Sequence, residues 1–253
     1  MKLKVMTFNL RIRTKGDGEY LFDFRQPYIL DAIRSEAPDV IGFQEASDGM
    51  IEFLQRNLPE YYFLGHGREE GYRGEAPAIA YRWEKLALRS FTEEMLSLTP
   101  QKVGSLVEGI NQSIYPRAFA AAELILKENG HTFLMANVHT DHVDRTVVFA
   151  ECVMLMQHIG RREMPFVLTG DFNAAPDSLA IGMIRSSRDR LGTVDATSEI
   201  THSFHGYGKY TEGWKIDYVF TNLPTDPRES YPVPQPENFF YSDHHALCAF
   251  VEV

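Results

Sequence analysis

The amino-acid sequence predicts an α/β protein in which mixed β-sheets are covered by helices. Strand-like apolar segments and segments with helical spacing follow one another along most of the 253 residues. No internal repeat and no low-complexity linker interrupts this order, and a chain of this length can bury one sizeable core. We therefore expect residues 1–253 to form a single domain.

The first part of the chain alternates strand, helix, strand and helix. Residues 4–10 and 39–45 are apolar and strand-like. Residues 27–35 carry an apolar stripe at helical spacing, and this helix should end near Pro38 because proline disfavours helical backbone before it. Residues 50–57 form the second predicted helix.

Strands and one long helix make up the remainder. Residues 77–82 and 86–98 are predicted strands with a reversal between them, and residues 100–116 are a predicted long surface loop. Asn129-Gly130 separates two apolar segments, as a hairpin turn does. The longest helical segment is residues 146–159, and later strands are expected at residues 166–169, 214–223 and 245–253.

The composition is that of an ordinary globular protein, with 44% hydrophobic and 12% aromatic residues. No apolar stretch approaches the roughly 20 residues that a membrane-spanning helix needs, and the first residues show no signal-peptide pattern. The two cysteines form neither a disulfide framework nor a metal-ligand spacing. These features lead us to expect a cytoplasmic protein.

The charge balance argues against a protein whose main task is to hold a long nucleic acid. Lys and Arg total 25 against 35 Asp and Glu, a formal net charge of −10, and the sequence has no block rich in Lys or Arg. Proteins that bind polyphosphate backbones usually present a basic face, because phosphate neutralisation supplies the affinity. A local basic patch remains compatible with this composition.

Polar side chains recur at the points where apolar strands end. Any one of them alone is explained best as a turn former, a helix cap or a hydrogen-bonded core residue. Their recurrence at one topological position points to function, because strand-end clusters of carboxylates, amides and histidines are how α/β proteins build active sites. The residues concerned are Asn9, Glu45, His139, Asp171, Asn173, Asp217, Asp243 and His244.

An ordered set of short motifs extends this interpretation. GDFN, SDH and an early strand that ends in FQE are the most specific, and the whole set resembles the endonuclease/exonuclease/phosphatase superfamily, which has the deoxyribonuclease I-like fold. The likeness spans essentially the whole chain and is strongest to small bacterial members of uncharacterised activity, which share the TFN-R opening and the FHG stretch. The motifs are TFNLR (7–11), FQE (43–45), GEAPAIAYR (74–82), NVHTD (137–141), GDFNAAP (170–176), FHG (204–206), KIDYVF (215–220) and SDHHAL (242–247).

The resemblance implies a four-layer α/β sandwich, in which two packed mixed β-sheets lie between helices and share one site at their edge. It also implies a divalent ion, Mg²⁺ or Mn²⁺, with Glu45 as the principal carboxylate ligand and with Asn9 and Asp243 close to it. Magnesium prefers oxygen ligands and retains several waters, which suits such a set.

Catalytic roles follow from the same resemblance. Asp171 would take a proton from the attacking water, and Asn173 would help to hold phosphate or water. His244 would face the phosphoryl group and pair with Asp217.

The resemblance implies further residues at the same site. His139 would be the second histidine, with Glu75 as its carboxylate partner, and Arg117 would contact the scissile phosphate. The aromatic loop at residues 203–214, which includes His205, could stack on a base or a sugar ring, although loop packing explains it equally well.

The chemistry of phosphoester hydrolysis independently requires these residue types. A hard cation held by oxygen ligands stabilises charge on the non-bridging and leaving oxygens, and an imidazole kept cationic by a carboxylate donates to phosphate. No serine or cysteine nucleophile has a base at motif spacing, so direct attack by water is simpler than a covalent intermediate. We expect a metal-dependent phosphoesterase acting on a phosphodiester or phosphomonoester, with a small or short phosphorylated substrate favoured by the acidic composition.

Four alternatives remain open at this point. A nuclease acting on DNA or RNA would use the same core residues. NVHTDH differs by one residue from the H-x-H-x-D-H zinc motif, with Asn137 in place of the first histidine, so a zinc hydrolase would lack one ligand. A non-catalytic binding module and a domain whose polar strand ends are all structural are the other two.

Overall fold

The strands form two six-stranded sheets and one two-stranded sheet. The computed structural model describes residues 1–107, 109 and 111–253. The helices are α1 (Phe22–Glu36), α2 (Asp48–Asn57), α3 (Arg145–Arg162), α4 (Leu179–Ser186) and α5 (Arg188–Leu191). The strands are β1 (Lys2–Asn9), β2 (Val40–Gln44), β3 (Ala46–Ser47), β4 (Tyr61–Leu64), β5 (Glu75–Ala76), β6 (Ile79–Arg82), β7 (Leu86–Met95), β8 (Ala118–Leu126), β9 (Thr132–His139), β10 (Phe166–Asp171), β11 (Val194–Asp195), β12 (Asp217–Thr221), β13 (Tyr231–Pro232) and β14 (Leu247–Glu252).

Each large sheet has one parallel pair of strands at its centre. The first sheet has the order β13-β14-β1-β2-β6-β4, with β1 and β2 parallel. The second has the order β11-β12-β10-β9-β8-β7, with β9 and β10 parallel. The other pairs in these two sheets are antiparallel, so both sheets are mixed, as predicted. The predicted strands β6 and β7 belong to different sheets, so the chain crosses between sheets at their reversal.

Side-chain alternation along the strands builds the four layers. Val5 packs in the core between the sheets, whereas the next residue, Met6, packs in the core under α1 and α2. In the second sheet Val167 likewise lies between the sheets, and Leu168 packs in the core under α3 and α4. Successive residues of a strand point to opposite faces, so a strand that is apolar throughout can serve two cores. The predicted four-layer α/β sandwich is confirmed.

The three predicted helices lie close to their expected positions, with one exception, and α4 and α5 were not predicted. The predicted start of α1 at Pro27 is wrong, because the helix begins at Phe22 and Pro27 lies inside it. Proline in the second turn removes a single backbone hydrogen bond, and burial of Phe22 in the core outweighs that loss. Within the described residues, no helix is long and apolar enough to cross a membrane.

Two of the predicted connections, a hairpin turn and a long loop, join strands of the second sheet. Asn129-Gly130 forms the turn between β8 and β9, where Gly130 has a φ of 75° and donates its N–H to the Leu126 carbonyl at 2.8 Å. Residues 100–116 connect β7 to β8 and contain no helix or strand among their described members. Glu108 and Ile110 of that predicted loop lie outside the described residues.

A buried arginine ties together the segments that follow β1 and precede β14. Arg25 of α1 is 0% exposed and donates to four backbone carbonyls. Its Nε bonds to Tyr20 at 2.6 Å, its Nη2 to Arg11 at 2.8 Å, and its Nη1 to Leu10 and, at 2.8 Å, to Tyr241. The guanidinium therefore fixes the loop after Asn9 relative to the loop before His244.

Replacing this arginine should destabilise the fold strongly. We expect Arg25→Met to lower the free energy of unfolding by about 3–5 kcal/mol, because buried carbonyls lose their donors. Chemical denaturation measures the change. Arg56→Met is the matched control, since Arg56 is exposed and pairs with Glu52 one turn away, and it should change stability by less than about 0.5 kcal/mol. An Arg25→Met loss below about 1 kcal/mol would contradict the assignment.

Candidate active site

The register of the second sheet brings three predicted residues side by side. Asp171 ends β10 and lies opposite His139 of the parallel strand β9 and opposite Asp217 of the antiparallel strand β12. In the first sheet, Asn9 ends β1 beside the end of β2, and Glu45 follows β2 directly. Each of these side chains leaves a strand at the same edge of its sheet.

A hydrogen bond from one sheet to the other closes the site. The Asn9 amide Nδ2 donates to Asp171 Oδ2 at 2.9 Å and to Glu45 Oε1 at 3.2 Å. Glu45 has a φ of 58°, and its other oxygen accepts from the Ile12 N–H at 2.8 Å. This left-handed backbone turns the Glu45 carboxylate back toward the sheet edge. Asn9 thus holds two carboxylates from different sheets at one point.

Asp171 lies at the centre of the cluster. Its Oδ2 is 3.8 Å from His139 Nε2 and 3.8 Å from His244 Nε2, and its Oδ1 accepts from the Asn173 N–H at 2.9 Å. Burial and the nearby Asp217 carboxylate raise the pKa of Asp171 to about 7, against the opposing effect of His244. A carboxylate with a pKa near neutrality is suited to exchange a proton with water.

His244 is held in its cationic form. Its Nδ1 lies 2.8 Å from Asp217 Oδ2, and both side chains are buried. Burial opposes the charged imidazole, but the Asp217 carboxylate outweighs it and raises the pKa of His244 to about 10. The Nε2 of His244 therefore presents an N–H to the same point that Asp171 faces.

His139 has the opposite electrostatic character. Burial, followed by the nearby Arg117 and Arg68 guanidinium groups, lowers its pKa well below the ordinary value. The imidazole is therefore neutral at pH 7 and can accept or donate one hydrogen bond at Nε2, according to its tautomer. The two histidines beside Asp171 thus differ in charge, because their environments shift the two pKa values in opposite directions.

The predicted partner of His139 is shared with a residue that the sequence did not reveal. Glu75 Oε2 is 3.6 Å from His139 Nδ1, but it is only 2.7 Å from Nη2 of Arg68. Arg68 is 4% exposed and follows β4 in a glycine-rich loop. Its position depends on tertiary contacts, and no local pattern marks it. Glu75 therefore pairs primarily with Arg68, and the resulting ion pair lies beside His139.

Arg117, which was predicted to contact phosphate, is buried below the protein surface. It is 2% exposed, its Nη2 is 2.8 Å from His142 Nδ1, and its Nε is 3.9 Å from Asp141 Oδ2. Among the described residues, its Nε and Nη1 have no hydrogen-bond partner. The guanidinium is near enough to His139 to lower the pKa of that imidazole. The predicted contact of Arg117 with phosphate stays a prediction.

Two groups of side chains compete as holders of a metal ion. Asp171, Asp217 and His244 offer ligand atoms within 4.8 Å of one another. In that group Asp217 is already bonded to a cationic His244, which has no lone pair to give. Glu45 is half-buried and joins Asp171 through Asn9, so its carboxylate suits a hard cation better. Asp243 is buried, with Oδ2 3.8 Å from Arg11 Nε.

The zinc motif that NVHTDH approaches does not form. Asn137 is 0% exposed and lies between the sheets. Its Nδ2 donates to the Phe43 and Ala78 carbonyls at 2.7 and 2.9 Å, and its Oδ1 accepts from Gln44 at 2.7 Å and from Thr169 at 3.0 Å. Its hydrogen-bonding capacity is filled by the protein, so Asn137 is a core residue that links the two sheets.

His205, which was expected to contact substrate, lies in the packed interior of its loop. The ring is 5% exposed, its Nδ1 accepts from the Gly208 N–H at 3.2 Å, and its Nε2 is 3.1 Å from Gln235 Nε2. The Gly208 N–H occupies one ring nitrogen, and burial together with His245 lowers the pKa of His205 to about 3. The structure therefore contradicts a substrate contact through this ring and gives His205 a packing role.

Comparison with known proteins identifies the family of the chain. A model described as the endonuclease/exonuclease/phosphatase family matches residues 6–244. An uncharacterised protein of Acanthamoeba polyphaga mimivirus is 28% identical over 236 residues, covering 86% of this chain and 87% of that protein.

Solved structures share the whole fold. An endonuclease/exonuclease/phosphatase from Bacteroides vulgatus has a TM-score of 0.92 and 24% identity, covering 100% of this chain and 99% of that one. The Bacteroides thetaiotaomicron mannosyl-6-phosphatase Bt3783 has a TM-score of 0.83 and 24% identity, covering 99% of this chain and 100% of that one. The predicted superfamily and its likeness to small bacterial members are confirmed. The chain belongs to the endonuclease/exonuclease/phosphatase family.

Proposed function

We propose that the chain is a divalent-metal-dependent phosphoesterase that hydrolyses a small or short phosphorylated substrate by direct attack of an activated water. The position of Asp171 carries the proposal. Its Oδ2 lies 2.9 Å from Asn9 Nδ2 and 3.8 Å from Nε2 of both His139 and His244. A carboxylate between a cationic and a neutral imidazole can orient water while the cationic ring holds a phosphoryl oxygen.

Glu45, with Asn9 and Asp243 close by, would hold Mg²⁺ or Mn²⁺. The donors of this set are carboxylate and amide oxygens, which hard cations prefer, and Glu45 remains half-exposed where an ion could bind. When bound, such an ion neutralises charge on the phosphoryl and leaving oxygens. The side chains of the protein then supply the proton transfers and the remaining hydrogen bonds.

In the proposed reaction each residue of the catalytic cluster has a distinct role. Asp171 accepts a proton from the attacking water, since its raised pKa lies near the working pH. His244, held protonated by Asp217, donates Nε2–H to a non-bridging oxygen that gains charge in the transition state. Asn173 keeps Asp171 in orientation through its backbone N–H, and neutral His139 donates or accepts at the opposite side.

The preference for a small substrate rests on charge. The net charge of −10 gives no general attraction for a polyphosphate chain. The mannosyl-6-phosphatase relative of the same fold is named for a phosphomonoester substrate, which supports including monoesters among the candidates.

A substrate panel tests the proposal. The purified chain should hydrolyse p-nitrophenyl phosphate, bis-p-nitrophenyl phosphate or an inositol phosphate, lose the activity in a chelator, and regain it with Mg²⁺ or Mn²⁺. Activity that survives chelation would contradict the metal requirement. Rapid nicking of plasmid DNA or cleavage of RNA at physiological salt, faster than hydrolysis of the small esters, would contradict the proposed preference for a small or short substrate.

Glu45→Gln should raise the Mg²⁺ concentration needed for half-maximal activity by about tenfold or more, because the principal carboxylate ligand loses its charge. Metal titrations of the activity measure the change. Glu52→Gln is the control, since Glu52 is exposed on α2, and its titration curve should match the wild type. A Glu45→Gln curve equal to that of Glu52→Gln would exclude Glu45 as the principal ligand.

A further inference from the structure

A buried carboxyl group lies behind the catalytic site, in a place that the proposed reaction does not use. Glu151 of α3 is 0% exposed, and its Oε2 accepts the Asp141 N–H at 2.7 Å. Burial raises the pKa of Glu151 to about 8, against the opposing effects of the Asp141 N–H and of Arg117. The group is therefore largely protonated at pH 7. Glutamate is seldom buried completely, so this position calls for an explanation.

The Asp141 N–H belongs to a peptide group that also contacts the catalytic site. The carbonyl of this Thr140–Asp141 peptide accepts from Asn173 Nδ2 at 3.0 Å. A trans peptide group is planar and directs its N–H and its C=O to opposite sides. Glu151 therefore holds one side of the peptide and Asn173 binds the other. Rotation of the peptide plane would break both bonds at once.

Thr140 and Asn173 are tied to Asp171 by two further bonds. The Thr140 N–H donates to the Asp171 carbonyl at 3.0 Å, and the Asn173 N–H donates to Asp171 Oδ1 at 2.9 Å. Together with the bond from Asn173 to Thr140, these bonds form a closed ring of three residues. The anchored Asn173 amide has one further N–H and its Oδ1, which can hold water or phosphate in a fixed direction.

Asp141 also connects this peptide to the segment around Arg117. Its Oδ2 accepts the Ser113 N–H at 3.0 Å and lies 3.9 Å from Arg117 Nε. Its Oδ1 accepts the Val143 N–H at 2.7 Å. A shift of the Asp141 backbone would move this carboxylate, and with it the surroundings of Arg117. The bond from Glu151 thus restrains both sides of the site.

We infer that Glu151 is a positioning residue, whose side-chain oxygen fixes the Thr140–Asp141 peptide and, through it, the Asn173 amide beside Asp171. The inference rests on the proposed phosphoesterase function and adds to it a residue that touches neither the substrate nor the attacking water. The role requires a hydrogen-bond acceptor but no negative charge, because the group to be held is a backbone N–H. A neutral side chain with an acceptor at the same reach should therefore support the reaction.

Two variants that differ mainly in the acceptor test this role. Glutamine keeps a carbonyl oxygen at the same reach, whereas leucine fills most of the volume without an acceptor. On an ester that the wild type hydrolyses with Mg²⁺, Glu151→Leu should lower kcat about tenfold to a hundredfold and change KM less than about threefold, because the Asn173 amide loses its fixed orientation. Glu151→Gln should keep kcat within about threefold of the wild type. Equal kcat losses in the two variants would overturn the inference.

Leu155→Ala separates positioning from a general loss of stability. Leu155 lies one turn further along α3, is 0% exposed and packs in the core under α3 and α4. Its truncation should lower the urea midpoint of unfolding, because it leaves a cavity, but kcat of the folded enzyme should stay unchanged. A kcat loss in Leu155→Ala as large as that in Glu151→Leu would contradict a positioning role for Glu151.

Amide hydrogen exchange tests the inference without turnover. In the metal-free protein, the Asp141 N–H should exchange at least about tenfold faster in Glu151→Leu than in the wild type, and at about the wild-type rate in Glu151→Gln. Unchanged exchange in Glu151→Leu would overturn the inference.

The kinetic and exchange measurements separate failure of the inference from failure of the proposed function. If the wild type hydrolyses no phosphate ester with Mg²⁺ or Mn²⁺, the proposed function fails, and the exchange rates alone decide whether Glu151 holds the peptide. If the wild type is active and Glu151→Leu matches it in kcat and in exchange, the proposed function stands and the positioning role is wrong.

Discussion

Asp171→Asn is expected to lower kcat by about 10²- to 10⁴-fold on any phosphate ester that the wild type hydrolyses. The amide keeps the size of the side chain and can still accept the Asn173 N–H bond, which is 2.9 Å in the wild type. It cannot take a proton from water near neutral pH, so the loss should appear in kcat. Steady-state kinetics at saturating metal measure the effect.

The same substitution removes the bond from Asn9 Nδ2 to Asp171 Oδ2, and it should also abolish a pH-dependent loss of stability. Burial and Asp217 raise the folded-state pKa of Asp171 to about 7, above its ordinary value of 3.8. The metal-free wild type therefore loses stability as the pH rises from about 4 to 7, because the unfolded chain releases this proton first. Asp171→Asn lacks that loss, and denaturation at pH 5 and pH 8 measures the difference.

Asp189→Asn is the matched control for Asp171→Asn. Asp189 is an exposed residue of the short helix α5. Its replacement should leave kcat unchanged. A kcat for Asp171→Asn within about threefold of the wild type would exclude Asp171 as the proton acceptor.

The positions of the central residues could be expected from the sequence because strand geometry is regular. Asp171 follows an apolar strand, and the pairing of β10 with β9 and β12 necessarily puts His139 and Asp217 beside it. The bond that joins the two sheets, from Asn9 to Asp171, spans 162 residues and has no local signal. The resemblance to a family predicted that Asn9 and Asp171 lie close together. The hydrophobic periodicity of the strands alone does not predict it.

The failures of prediction concern loops and burial. His205 belongs to an aromatic stretch that looks like a binding loop, but contacts with Gln235 and Gly208 bury its ring. Arg68 escaped notice because a charged residue in a glycine-rich loop is usually solvated, and only the fold brings it to Glu75. In both cases the decisive partners come from distant segments or from the loop conformation, which patterns of neighbouring residues do not encode.

Asp217→Asn is expected to lower the pKa of His244 and to move the alkaline limit of activity to lower pH. Burial disfavours the charged imidazole, and Asp217, whose Oδ2 is 2.8 Å from Nδ1, is the main group that overcomes it and raises the pKa to about 10. An asparagine can accept the Nδ1–H bond without supplying the charge, so the ring should lose its proton at a lower pH. At pH 8 the activity should fall by roughly 10²- to 10⁴-fold, as for other buried carboxylate–histidine pairs.

Titration of the histidine rings by NMR in the metal-free protein measures the change directly. In the wild type His244 should stay protonated through pH 8, and in Asp217→Asn it should be neutral there. The pair also contributes to stability, since the folded-state pKa of about 10 lies above the ordinary 6.5. That contribution is complete below pH 6.5 and disappears as the pH rises to about 10. The stability difference between wild type and variant, roughly 3–5 kcal/mol at pH 6, should therefore shrink at alkaline pH.

Asp226→Asn is the control for charge removal, because Asp226 pairs with Arg228 at the protein surface, outside the catalytic motifs. It should change neither the His244 titration nor the pH profile of kcat/KM. If His244 titrates near pH 6.5 in both the wild type and Asp217→Asn, the imidazole is not held cationic by Asp217. A different donor to the phosphoryl oxygens would then be required, with neutral His139 the remaining imidazole beside Asp171.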